Sequence, residues 1–215
     1  MIAPERAALV IIDMQRGFID EASPLCIAGA AATVPACARA LSAARAQGMT
    51  IVHAIRAYAA DGSDVEATRY DAWTHGRPLS PAADDPASAE EPPELAPAPG
   101  DIVIVKPRFS AFFGTELDAR LRAASISTVV LAGTTTPNCI RSTCYDALSL
   151  DYNVCVLNDC TSSRTPEVQR ANIEDMAFIG ATVMDCEAFE REGLANMEDA
   201  VARVRAAARR DPSPR

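Results

Sequence analysis

Positive charge, histidine, aromatic side chains and long apolar runs are all scarce in this chain of 215 residues, and each scarcity narrows its function. Lysine and arginine total 20 against 29 acids, a formal net charge of −9. Phosphate binding relies on clustered cations, so nucleic acid is not an expected partner. The two histidines, His53 in the run MTIVHAI and His75 in a loop, show no DxH spacing. Protein metal sites usually need three or more suitably spaced ligands, so no metal is expected, and His53 reads as a hydrogen-bonded strand residue. His75 reads equally as a pocket residue or as a loop polar group. No apolar stretch approaches the roughly 18 residues that span a bilayer, and the start MIAPERAALV lacks a signal-peptide pattern. A cytoplasmic protein without a membrane partner is expected. The seven cysteines are odd in number and include no CxxC pair, in a chain long enough to need no disulfide staples. Reduced thiols follow as the simplest assumption.

What is present is a regular alternation of strand and helix patterns. Residues 7–12, 50–55, 102–105, 129–131, 152–157 and 181–184 read as strands. Between them, residues 33–47, 115–124 and 165–178 read as helices, with Pro35 early in the first and Gly48 stopping it, and with Thr165 and Pro166 opening the last. A final helix over residues 193–209 carries Leu194, Met197, Val201 and Val204 on one stripe, suited to packing on its own domain or on a partner subunit. The last residues, DPSPR, read as disordered. With 49% hydrophobic residues the chain can bury a full core. The expected fold is α/β, a three-layer sandwich around a six-stranded, mostly parallel, Rossmann-like sheet, forming a single domain over residues 1–215.

Three strand ends carry chemistry. TVVLAGTTTPNCIRSTC reads as strand, tight turn and helix start: Pro137 suits a first helical turn, Thr136 an N-cap, and Cys139 falls beside unpaired backbone N–H groups and the positive end of the helix dipole. A thiolate is favoured there, and the same N–H groups suit a developing oxyanion. AALVIIDMQRGFID ends its strand in Asp13, and an acid at the carboxyl end of a parallel strand faces the crevice where such sheets bind ligands. DIVIVKPRFSAFFGTEL ends its strand in Lys106. An acid, a cation and a thiol from three strand ends make up the set that nucleophilic acyl transfer needs.

These segments, VIIDMQRGF, VKPRFSAFFGTEL and GTTTPNC, resemble those of the isochorismatase-like cysteine hydrolases, the superfamily of nicotinamidases, N-carbamoylsarcosine amidases, ureidoacrylate amidases and biuret hydrolases. The resemblance runs from about residue 8 to residue 189. It implies a catalytic triad of Asp13, Lys106 and Cys139, a cis peptide joining Thr134 to Thr135, and an oxyanion hole from the backbone N–H groups of Thr135 and Cys139. It also implies no organic cofactor and a homo-oligomer, dimer or tetramer. Relatives that hydrolyse isochorismate generally lack the cysteine, which leaves vinyl ether cleavage as the lesser alternative. A non-catalytic small-molecule or redox-responsive binding protein is a further alternative.

The region over residues 57–100 is long and rich in proline, alanine and acids, as functional or disordered loops are. Its first half carries Arg56, Tyr58, Arg69, Tyr70, Trp73 and Arg77 in or beside it, and reads as a flap over a small polar substrate. Its second half reads as a solvated connector. The expected substrate-binding side chains are Phe18, Arg56, Tyr58, Trp73 and Phe112, with Thr134 in the nucleophile turn. The expected activity is hydrolysis of the C–N bond of a small amide or N-carbamoyl compound through a thioacyl-enzyme intermediate.

Overall fold

The computed structural model describes residues 2–210, and the terminal stretch read as disordered lies outside them. Six strands form the sheet: β1 (Ala7–Ile12), β2 (Thr50–Ile55), β3 (Ile102–Val105), β4 (Thr128–Thr134), β5 (Asn153–Ser162) and β6 (Thr182–Met184). Their order is β3-β2-β1-β4-β5-β6, and every neighbouring pair is parallel. Parallel strands need crossover connections, and these place helices on both faces. The helices are α1 (Arg16–Ile19), α2 (Ala30–Ala46), α3 (Tyr70–Trp73), α4 (Leu117–Ala123), α5 (Arg141–Ser149), α6 (Pro166–Phe178), α7 (Cys186–Glu192) and α8 (Ala200–Arg210). None among the described residues is long and apolar enough to cross a membrane.

The alternation of side chains along β1 divides the core. Ala7, Leu9 and Ile11 point into one layer with Ala40 and Leu41 of α2 and Phe189 of α7. Ala8, Val10 and Ile12 point into the other, against Leu121 of α4, Cys144 of α5 and Met176 of α6. A strand buried on both sides reads as an unbroken apolar run, as AALVII does.

Helix and strand bounds depart from the sequence reading where distant contacts decide them. The helix expected over 33–47 starts at Ala30, after Gly29 in the left-handed conformation (φ 81°), so Pro35 lies inside it. Strand β5 runs on past residue 157 to Ser162, with a register shift against β4 between Leu131 and Gly133. Asn158 and Asp159, which look like a strand end, sit at that irregularity. Asp159 Oδ1 accepts from Cys186 N at 2.7 Å and so caps α7, a helix the local sequence does not announce. The helix expected over 193–209 starts later: Gly193 (φ 55°) follows the end of α7, and α8 opens only at Ala200, where Asp199 Oδ1 accepts from Ala202 N. Of its expected stripe, Leu194 and Met197 are buried but Val204 is 57% exposed.

The long segment between β2 and β3 is packed. Phe18, Tyr58, Val65, Trp73 and Leu79 form a separate apolar cluster in its first half. Gly62 (φ 73°) lies so close that an added Cβ would be 2.4 Å from the Trp73 ring. The second half is fastened too: Leu95 is fully buried in the main core, and Gln15 donates to Ala89 O at 2.9 Å. The solvated connector of the sequence reading is therefore a strap anchored at intervals.

Candidate active site

In an open parallel sheet, ligands bind beyond the carboxyl ends of the strands where the strand order reverses, here between β1 and β4. Asp13 immediately follows β1, and Cys139 lies in a single π-type turn, Thr136–Ile140, that follows β4 and precedes α5. Lys106 immediately follows β3. The structure brings all three together. Lys106 Nζ is 2.6 Å from Asp13 Oδ2 and 3.6 Å from Cys139 Sγ, and it also donates to Arg108 O at 3.2 Å. All three residues are essentially sealed from solvent.

Local backbone explains how this approach is reached. Asp13 sits at φ 53°, a left-handed conformation that aspartate tolerates better than most residues. Gly133 sits at φ 115°, paired with Ile12, and a Cβ there would lie 2.1 Å from Ile12 O. Only glycine lets β1 and β4 close at the point from which Asp13 and the Cys139 turn depart. The Thr134–Thr135 peptide bond is cis. The hydroxyls of Thr135 and Thr136 both donate to Ser162 O, at 3.0 and 2.9 Å, and Thr134 Oγ1 is 3.0 Å from Ser162 Oγ. Thr136 is thus bound to β5 and does not cap the helix, as its position in the sequence suggested. The extended β5 is what holds the turn.

Electrostatics correct one expectation. A helix start favours a thiolate, yet burial pushes the Cys139 thiol above its ordinary value of 9.0, and the Asp13 carboxylate pushes it further. Lys106 and Arg69 oppose the rise. Dehydration and the neighbouring anion outweigh them, so the resting sulfur carries its proton. Asp13 Oδ1 is buried without a hydrogen-bond partner among the described residues. A buried carboxylate oxygen left open beside a protonated thiol is arranged to receive a proton.

The residues expected to bind substrate are distributed differently. Both terminal nitrogens of Arg56 are engaged: Nη1 donates to Lys106 O at 3.2 Å, and Nη2 to Arg108 O at 2.8 Å while pairing with Glu66 Oε1 at 2.7 Å. Tyr58 donates to Glu66 Oε2 at 2.7 Å, and Trp73 Nε1 to Pro78 O at 3.0 Å. These three build the flap and hold the segment that carries Lys106. Phe112 packs on Tyr152, 5.7 Å between ring centroids, in the core layer under α4, α5 and α6. Phe18 instead lies under the Arg69 guanidinium at 5.2 Å, with Phe109 on Arg69 at the same distance.

Several residues of the site had no assigned role in the sequence reading. Gln15 joins β2 to the strap, accepting from Arg56 N at 2.7 Å and donating to Arg56 O at 2.8 Å. Arg69 was placed in the flap without a task. One signal was available for Lys106: it is the only lysine in a chain with nineteen arginines. His53 is sandwiched between Glu91 Oε2 at 2.7 Å and Asp101 Oδ2 at 3.3 Å, which fastens the strap to β2. His75 is exposed and bonds to Asp71 O. It lines a cavity of about 430 Å³ with Arg16, Asp20 and Asp84, with no residue of the Asp–Lys–Cys cluster among its walls. Among the described residues no group of three or more His, Cys, Asp or Glu side chains is arranged to hold a metal ion, and the commitment of His53 to two carboxylates fits that finding.

Fold and cluster together define a three-layer α/β protein with an Asp–Lys–Cys group at the switch point of its sheet. The isochorismatase domain matches residues 7–188, and the chain belongs to that family. A probable inactive nicotinamidase of Arabidopsis thaliana is 39% identical over 175 residues, 80% of this chain and 89% of the relative. The ureidoacrylate amidohydrolase RutB of Cronobacter sakazakii is 33% identical over 219 residues, 91% of this chain and 93% of the relative. The crystal structure of an isochorismatase family protein from Desulfovibrio vulgaris superposes with a TM-score of 0.81 at 44% identity, covering 86% of this chain and 97% of that one.

Proposed function

We propose that the protein is a hydrolase of carbon–nitrogen bonds other than peptide bonds, acting on a small amide or N-carbamoyl compound with Cys139 as nucleophile. The observation that carries this reading is the position of Lys106 Nζ, 2.6 Å from Asp13 Oδ2 and 3.6 Å from Cys139 Sγ, with all three residues buried. The family relationship and the amidohydrolase at 33% identity support the same class.

In this mechanism Asp13 takes the thiol proton as sulfur attacks the carbonyl carbon, while the Lys106 ammonium keeps the site positive as negative charge builds. The tetrahedral oxyanion is stabilised by the backbone N–H groups of Thr135 and Cys139. The C–N bond then breaks, the leaving amine takes the proton from Asp13, and the acyl group remains on sulfur. Water, deprotonated by Asp13, attacks the thioester. The acid is released and the proton returns to Cys139. The raised thiol explains why a base must stand beside it: at neutral pH the nucleophile forms only as the proton leaves.

The test is ammonia release from a panel containing nicotinamide, biuret, N-carbamoyl amino acids and ureidoacrylate, run beside Cys139→Ala. Release that disappears in the variant supports the assignment, and equal release by both proteins sinks it. A non-catalytic binding role is the second reading, favoured by the relative described as a probable inactive nicotinamidase. It requires binding without turnover across the panel. Self-association belongs to the same proposal, with the exposed Val204 face of α8 available to a second copy.

A further inference from the structure

One buried carboxylate near the Asp–Lys–Cys cluster takes no part in the mechanism above. The Glu91 side chain, 3% exposed, stands with Oε2 2.7 Å from His53 Nδ1, and its Oε1 is buried without a hydrogen-bond partner among the described residues. Asp13 Oδ1 is buried and open in the same way. Fastening the strap to His53 needs only one Glu91 oxygen, and a carboxylate drawn out of water with the other left bare is costly. The backbone brings the two carboxylates to the same place. His53 is in register with Ile11, two residues before Asp13, and Asp13 N donates to Ala54 O at 3.0 Å. On the strap side, Gln15 donates to Ala89 O at 2.9 Å and Arg16 N to Glu90 O at 2.8 Å. The loop after β1 is thus tied to β2 on one flank and, on the other, to the residues just before Glu91.

The charged groups that face Glu91 come from three places: His53 from β2, Asp101 just ahead of β3, and Asp13 just after β1. Arg45 of α2 stands behind Asp101, and Lys106 and Cys139 stand beyond Asp13. Burial pushes the Glu91 carboxyl above its ordinary value of 4.5, His53 draws it down, and the charges of Asp13 and Asp101 push it up again. Asp13 and Glu91 therefore repel each other when both are ionised, and that repulsion ends each time Asp13 accepts a proton. The negative charge that leaves Asp13 goes to the sulfur, on the far side of the sheet. His53 faces the α2 layer, as Ile51 two residues earlier does, whereas Cys139 is packed in the layer under α4, α5 and α6.

We propose that Glu91 is a positioning residue for the reaction: its negative charge, held against His53, drives protons onto Asp13, from the Cys139 thiol in the first step and from water in the second. Glu91 itself exchanges no proton in either step. In the first, the Cys139 S–H bond breaks, an O–H bond forms on Asp13, and the charge moves away from Glu91. Acid cancels the effect. A carboxyl with a raised pKa loses its charge as pH falls through that raised value, and an uncharged Glu91 repels nothing. The proposal rests on the amidohydrolase reading and deepens it, but its first test does not depend on turnover.

That test is an NMR titration of the full chain labelled with carbon-13 at the glutamate side-chain carboxyls, in which the resonance missing from Glu91→Gln identifies Glu91. Its midpoint should lie above the ordinary glutamate value and should fall by at least about half a pH unit in Asp13→Asn, which removes the neighbouring charge. A midpoint that Asp13→Asn leaves in place overturns the proposal. For turnover, Glu91→Gln keeps the length of the side chain and an oxygen for His53 but carries no charge. On the best substrate of the amide panel its kcat/KM should be about 10-fold below wild type at pH 7, and the two should converge as pH falls below the wild-type Glu91 midpoint. Glu91→Asp, which keeps the charge, should recover part of the loss at pH 7. A loss of the same size at every pH would mean that Glu91 only fastens the strap, and no loss at any pH would mean that its charge does not reach Asp13. Either result overturns the proposal and leaves the amidohydrolase standing. A midpoint that falls in Asp13→Asn without any amide turnover would reject the amidohydrolase and keep the coupling of Glu91 to Asp13.

Discussion

Lys106 Nζ and Asp13 Oδ2 stand 2.6 Å apart, both buried, and the buried Cys139 sulfur shares the same ammonium at 3.6 Å. Because burial and Asp13 raise the thiol while Lys106 lowers it, the two neighbours should move its titration in opposite directions. The pH profile of Cys139 alkylation by iodoacetamide should therefore shift to lower pH in Asp13→Asn and to higher pH in Lys106→Met. Both variants should lose turnover. An upward shift in Asp13→Asn would show that its charge does not act on the sulfur.

Arg56 and Glu66 form a buried pair whose removal should unfold the flap without any direct effect on substrate. Breaking one partner of such a pair costs about 3–5 kcal/mol, because the other charge remains buried and alone. Arg56→Met should lose about that much in urea denaturation, and Arg56→Met with Glu66→Leu should recover part of it. An Arg56→Met protein of wild-type stability with a raised KM would instead return Arg56 to the substrate.

Gly133 should be among the least replaceable residues of the chain. Gly133→Ala meets both a positive φ of 115° and a Cβ 2.1 Å from Ile12 O. The expected loss is at least about 3 kcal/mol, combining backbone strain with displacement of β1 from β4. Gly180→Ala has a similar φ of 114° but no atom within 4 Å, and should cost only about 1 kcal/mol. Comparable thermal denaturation midpoints for the two variants would contradict the close-approach argument.

The difference between those glycines also shows what the sequence could and could not reveal. Strands β1, β2 and β3 were legible to the residue, because AALVII, TIVHAI and IVIV are apolar runs closed by punctuation in the chain itself. Asp13, Lys106 and Cys139 were legible as candidates because each ends or closely follows such a run. The continuation of β5 and the existence of α7 were hidden, since Asp159 interrupts the apolar pattern and its capping partner is Cys186 N, 27 residues away. Arg69 was hidden for a similar reason. One arginine among nineteen is marked only by the two rings that hold it, and that placement arises from folding.

Asp101 gives a prediction for acid. Burial alone would raise its pKa, but the Ala98 N–H at 2.8 Å and the Arg45 guanidinium at 2.5 Å hold it below the ordinary 3.8, with His53 adding to the effect. A carboxyl whose folded pKa is depressed contributes stability that is fully present above its unfolded value and is lost as pH falls through the folded one. Asp101→Asn should therefore be less stable than wild type at pH 7, by about 1–3 kcal/mol for hydrogen bonds made to a charged group. The difference should shrink below about pH 4 as the wild-type carboxyl takes up its proton. Urea denaturation at a series of pH values measures both curves. A gap that stays constant down to pH 2 would mean that the side chain acts through its shape and its amide-like contacts, and that the charge on Asp101 does not fasten the strap to β2.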